Sequence, residues 1–159
     1  MIFVTVGSMM GFDRLIRAMD EWTKRQQCVD VFAQIGNGKY LPVNMRWARM
    51  LTPTEFRKTV HSADLLVAHA GMGSFFVAME SNKPIVMMPR LLSLLEHTTD
   101  HQVHTLAWLG LKAGVYPAAS EEDLSRAIGS AFGADTIFQQ FNPFAQPQFV
   151  ARLRDYIIG

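Results

Sequence analysis

The 159-residue chain has a single cysteine, Cys28, so no disulfide forms within it and its fold rests on an apolar core. Charge of one sign is equally scarce: 15 basic side chains stand against 14 acidic ones, a net charge of +1. A balanced surface offers no continuous basic face for a phosphate backbone, which argues against nucleic acid as a partner. Long apolar runs are missing too. No stretch approaches the roughly eighteen residues that span a bilayer. The opening Met-Ile-Phe-Val-Thr-Val lacks the basic n-region and small-residue cleavage site of a secretory signal. The expected location is therefore the cytoplasm, with any membrane association peripheral and borrowed from a partner.

What is present is a regular alternation of short apolar runs and amphipathic stretches. Ile2 to Val6 is a β-branched run that ends at Gly7-Ser8 and predicts a strand buried on both faces. Phe12, Leu15, Ile16, Met19 and Trp22 then recur at helical spacing within a helix expected from Phe12 to Arg25. Further strands are predicted at Val29 to Ile35, Met45 to Leu51, Ala63 to Ala68, Ile85 to Met88 and Lys112 to Tyr116. Helices are predicted at Thr54 to Ser62 behind Pro53, Ser74 to Ser81, His97 to Leu109, and Glu121 to Phe132 behind a Ser120 cap. Such alternation implies βαβ units, and hence an α/β, doubly wound, mostly parallel sheet in one Rossmann-like domain. Residues 1–135 form its expected core. Residues 136–159 are an aromatic-rich tail, with Phe138, Phe141, Phe144, Phe149 and Tyr156 before or within a last helix from Phe149 to Ile158. The tail is expected to complete the core, with a partner-docking patch as the alternative.

Ligands of such sheets bind outside the carboxyl ends of the strands, so three loops should converge on one crevice. The first, Gly7-Ser8-Met9-Met10-Gly11, opens a helix whose free N–H groups favour an anion, although a plain tight turn explains it equally well. The second, His69-Ala70-Gly71-Met72-Gly73-Ser74, joins two glycines that admit a close ligand to a histidine at a strand end, with Ser74 either holding phosphate or capping the helix. The third gathers Glu96, His97, Asp100, His101 and Gln102, a set of donors and acceptors suited to sugar hydroxyls. Arg90, just before it, either cradles phosphate or pairs with Glu96 on the surface. His97 and His101 stand four residues apart, but the H-E-x-x-H pattern is absent, and no metal is expected.

Taken in order, Phe3-Val4-Thr5-Val6-Gly7-Ser8, Phe12-Asp13-Arg14-Leu15, His69 to Ser74, Lys83-Pro84-Ile85-Val86, Pro89-Arg90, Glu96-His97 and His101-Gln102 resemble the C-terminal, donor-binding domain of glycosyltransferase family 28. Within that family the likeness is to short chains that form the catalytic half of two-part enzymes. The resemblance implies the C-terminal half of a GT-B fold and a UDP-sugar donor touched by Gly7, Ser8, His69, Gly71, Gly73, Ser74, Arg90, Glu96, His97, His101 and Gln102. It implies inversion at the anomeric carbon with no cofactor or bound metal. The general base comes from an acceptor-binding half on a membrane-anchored partner that presents a lipid-linked or exopolysaccharide acceptor; within this chain His69 is the one candidate. Two positions depart from the family pattern. A ribose-binding glutamate is replaced by Val77, the nearest acid being Glu80 one turn on, and Thr98-Thr99-Asp100 stand where Gln-Asp-Asn is usual. These departures leave open a non-catalytic subunit that keeps the fold and has lost donor recognition. An epimerase or hydrolase on a related sheet is less well served, since no nucleophile with an adjacent base is visible.

Overall fold

A computed structural model describes residues 1–26, 28–132 and 144–158. Six strands form one sheet: β1 (Ile2–Thr5), β2 (Val31–Gln34), β3 (Arg46–Ala48), β4 (Leu65–His69), β5 (Ile85–Met88) and β6 (Val115–Pro117). Their order is β3-β2-β1-β4-β5-β6, and every pair is parallel. The chain therefore winds outward one way from β1 and then the other way from β4, which puts the switch point between the first two predicted ligand loops.

Period-two alternation divides the core into two layers. Ile2, Val4, Leu65, Val67, Val86 and Met88 face α1 (Asp13–Gln26) and a later helix, Leu124–Phe132, whose Ala127, Ile128 and Ala131 complete that layer. Phe3, Leu66, Ala68, Ile85 and Met87 face the opposite side. There they meet Val60 of α2 (Pro53–Ser62), Phe75 and Ala78 of α3 (Met72–Glu80), and Leu106 and Leu109 of α4 (His101–Leu109). The helix at Leu124–Phe132 is α5, and α6 spans Pro147–Ile158. No helix among the described residues is long and apolar enough to cross a membrane.

The predicted elements are all found, and their boundaries shift for local reasons. Pro53 opens α2 as expected, fixed by a capping box in which Thr52 and Glu55 satisfy each other's backbone N–H groups. The helix α3 starts at Met72 rather than Ser74, because Gly71 is its N-cap. The helix α4 starts at His101 rather than His97, because side-chain contacts hold Glu96 and His97 in the preceding loop. Ser120 does not cap α5 directly. Asp123, next to the helix, accepts from the backbone N–H groups of Ala119 and Ser120.

The tail departs from expectation. Phe138 and Phe141 lie outside the described residues. Phe144, Phe149 and Tyr156 are exposed, and α6 contributes no buried side chain. The described residues of the tail thus add no side chain to the core.

Candidate donor-binding crevice

The three loops do converge. A crevice of about 900 Å³ opens at the carboxyl ends of β1, β4 and β5, and Gly7, Ser8, His69, Gly71, Gly73, Ser74, Arg90, His97, His101 and Gln102 all line it. Of the residues expected at the donor, Glu96 alone is missing from its wall.

Backbone geometry builds the first two loops. Gly7 has φ +78°, a left-handed conformation that disfavours any side chain, and its N–H donates to Thr5 Oγ1 at 3.2 Å. Space is short there as well. A Cβ on Gly7 would stand 2.9 Å from His69 Cε1, and one on Gly71 would stand 2.5 Å from His69 Nε2. The imidazole is thus a spacer wedged between the two loops, and both glycines exist to admit it. Burial pushes its pKa down to about 4, with the positive Arg90 nearby adding to the effect, so the ring is neutral at physiological pH. A neutral, wedged histidine is a weak general base.

Gly73 is different in kind: a Cβ there would meet nothing within 4 Å. It lies in the first turn of α3, which has no acidic side chain and no side-chain cap. Those first-turn N–H groups open onto the crevice together with Ser74, as an anion site requires. The corresponding end of α1 is already committed. Asp13 occupies its first turn, and its carboxylate accepts the Lys39 N–H at 2.9 and 3.1 Å, holding the Gly36–Lys39 turn against Gly11. Of the two glycine loops, the second therefore offers the open helix end.

Side chains build the third loop. Arg14, on α1, sends Nε and Nη2 to the two oxygens of Glu96 at 2.8 Å each. It also donates from Nη1 to Glu121 at 3.0 Å and from Nη2 to the Pro89 carbonyl at 2.7 Å. Burial opposes the Arg14 charge, but the hydrogen bonds to Glu96 and Glu121 outweigh it and raise the pKa. Glu96 also accepts the Leu91 N–H at 3.0 Å, and Asp100 accepts the Leu92 N–H at 2.9 Å. Glu96 thus holds the loop from behind and does not face a ligand. What the loop presents is His97 and His101, whose rings meet edge to face at 4.5 Å between centroids, with Thr99 bonded to both.

Arg90 does not pair with Glu96 on the surface; it turns inward and lines the crevice. It is 4 % exposed, and its Nη2 donates to the carbonyls of Val6 and Met10 at 2.8 Å each, tying down both ends of the first loop. Its own N–H donates to Gln102 Oε1 at 3.1 Å, which buries that glutamine at the crevice floor. Burial lowers the Arg90 pKa, yet a guanidinium stays charged at any ordinary pH, so Arg90 sets a positive potential beneath the crevice.

Sequence reasoning missed the far wall, formed by Met50, Leu51, Pro53, Phe56 and Val60 with Val77. Phe56 and Val60 stand four residues apart on α2, an ordinary core spacing that carries no ligand signal. Glu80 is the one carboxylate among the described residues that line the crevice, and it is exposed at the rim. No group of three or more His, Cys, Asp or Glu side chains placed to hold a metal occurs among the described residues.

A doubly wound parallel sheet with an anion-suited crevice at its switch point defines a Rossmann-like domain of the kind found as the C-terminal half of GT-B glycosyltransferases. The chain belongs to the glycosyltransferase family 28 C-terminal domain family, which it matches over residues 1–130. Among curated proteins none matches it significantly in sequence. Its fold is similar to the solution structure of ALG13, at 18 % identity and a TM-score of 0.57, covering 96 % of this chain and 93 % of that one. It is also similar to the glycotransferase of kitacinnamycin (17 % identity, TM-score 0.58, 84 % of this chain) and to the glycosyltransferase SnogD from Streptomyces nogalater (20 %, 0.51, 82 %). Of these two the chain spans only 35 % and 34 % respectively.

Proposed function

We propose that the chain is the donor-binding, catalytic subunit of an inverting glycosyltransferase that takes a UDP-sugar without a bound metal. Its acceptor is lipid-linked or an exopolysaccharide, presented by a membrane-anchored partner. One observation carries this reading: the N-terminus of α3, with no side-chain cap, opens at Gly73 onto a crevice that the buried Arg90 also lines. Transfer of a sugar leaves a nucleoside diphosphate, and the charge that develops on it is stabilised by fixed N–H groups and a nearby cation without any reorganisation. On the opposite side, His97 and His101 offer hydrogen bonds to a hexose.

The acceptor hydroxyl needs a base, and the crevice supplies none that is well suited. His69 is neutral but weakly basic and wedged in place, and Glu80 stands at the rim. The base is therefore assigned to an acceptor-binding half outside these residues. The chain's span of about a third of the kitacinnamycin enzyme and SnogD supports that division.

A second reading, a non-catalytic or regulatory subunit that keeps the fold and has lost donor recognition, is favoured by Val77. Calorimetry decides between them. UDP is expected to bind, and Gly73→Ala is expected to weaken it about tenfold, or about 1.4 kcal/mol, while leaving the protein folded. No heat of binding at about 1 mM UDP sinks the enzymatic reading. Transfer from a UDP-sugar is expected once a membrane fraction holding the partner is added.

A further inference from the structure

The last helix carries an apolar stripe that stands open to solvent. No side chain of α6 is buried, whereas α1, of similar length, buries Leu15, Ile16, Met19 and Trp22. At about 100° per residue, Tyr156, Phe149, Leu153, Ile157 and Val150 fall within one arc of about 120° along α6. All five are between 47 % and 87 % exposed. Gln148, Ala151, Asp155 and Ile158 take most of the remaining circumference.

Charge is placed around this stripe in a way that selects its occupant. Arg152 falls about 40° outside Tyr156 on one border, and Arg154 about 40° outside Val150 on the other. Asp155, the only acid of the helix, stands on the opposite face. Neither arginine forms an ion pair among the described residues. A cation on each flank of an apolar stripe matches a flat surface that is apolar within and negative all round. Each long side chain lays its stem along the apolar layer and raises its head to a phosphate. Tyr156, at one edge, adds a ring with a polar tip suited to the same boundary. A protein groove meets this pattern only with acids on both of its walls. We infer that α6 lies in the plane of an anionic lipid surface, with Phe149, Val150, Leu153, Tyr156 and Ile157 among the acyl chains and Arg152 and Arg154 on the headgroup phosphates. No α6 residue lines the crevice, so the inference stands apart from the proposed function. It gives the chain a membrane contact of its own, in addition to any that a partner supplies.

Flotation of the full chain with protein-free vesicles tests it. The chain is expected to rise with phosphatidylcholine vesicles holding about 30 % phosphatidylglycerol, and at least about fivefold less with phosphatidylcholine alone, since each arginine near an anionic surface contributes about that factor. Leu153→Asp is expected to abolish flotation while leaving thermal unfolding of the domain unchanged, because Leu153 packs into no core. Arg152→Gln together with Arg154→Gln keeps the stripe and is expected to remove the preference for anionic vesicles. Absence of flotation with the anionic vesicles overturns the inference, as does an equal yield from the two compositions or from the Leu153→Asp chain. Capture by native membranes but not by protein-free vesicles also overturns it, and assigns the stripe to a protein partner. A dimer in solution that Leu153→Asp dissolves, with no flotation, overturns it in favour of a second copy of the chain.

Discussion

The two glycine loops and the third loop border the same crevice but are held by opposite means. The loops after β1 and β4 are shaped by backbone: Gly7 and Gly71 give way to the His69 ring, and Arg90 grips carbonyls of the first loop. The loop after β5 is shaped by carboxylates, with Glu96 and Asp100 taking up its N–H groups and Arg14 binding Glu96 from another element. A backbone-built loop tolerates no added atom, whereas a side-chain-built loop tolerates small changes and fails when its charge pair is broken. The difference teaches where rigidity and where adaptability lie in the site. The end built by the two glycine loops is set hard, and the end built by the third loop rests on a network that can be retuned.

The largest effect that tests this contrast is expected from Gly7→Ala. It combines positive-φ strain with a clash against His69, and a loss of about 3–4 kcal/mol is expected in denaturant unfolding. A loss below about 1 kcal/mol would show that the first loop is as pliable as the third.

Acid should act next, through His69. Its folded pKa is depressed to about 4, so between there and about 6.5 the unfolded chain binds the proton and the folded one does not. Stability is therefore lost as pH falls from about 6.5 toward 4, by about 3 kcal/mol in total. His69→Gln should flatten that slope whatever its stability at neutral pH, and an unchanged slope would assign the titration to another group.

The smallest of the three concerns the third loop. Glu96→Ala leaves Arg14 with Glu121 and the Pro89 carbonyl, and both members of the pair are slightly exposed, at 12 % and 13 %. A loss of about 2 kcal/mol is expected, below the range for a fully buried pair. Amide exchange should quicken at Leu91 and Leu92 while Gly7 stays protected. Equal quickening in both loops would show that the two are one mechanical unit.

The sheet was legible because burial on both faces writes itself into short apolar runs, and the glycine loops because a tight turn at a strand end admits few residues. The third loop was legible only as composition. The sequence places a helix start at His97, but Arg14, 82 residues from Glu96, holds that carboxylate behind the loop, and the helix begins only at His101. For a similar reason the sequence leaves the partner of Arg90 open between two readings. Nothing in Pro89-Arg90-Leu91 shows that the guanidinium turns inward to the carbonyls of Val6 and Met10. The apolar wall of α2 was invisible because Phe56 and Val60 have the spacing of any core-facing pair.

By itself the sequence determined the alternation of elements, the parallel doubly wound sheet and the two glycine loops, which follow from local periodicity and glycine placement, while the family showed in the resemblance of its motifs taken in order. Only the tertiary structure decided that His69 is a spacer and that the open helix end belongs to α3 and not α1. The same holds for Glu96 as a brace and Val77 as part of an apolar wall. Each of those depends on which distant groups compete for the same N–H, carboxylate or space, and that competition exists only once the chain has folded.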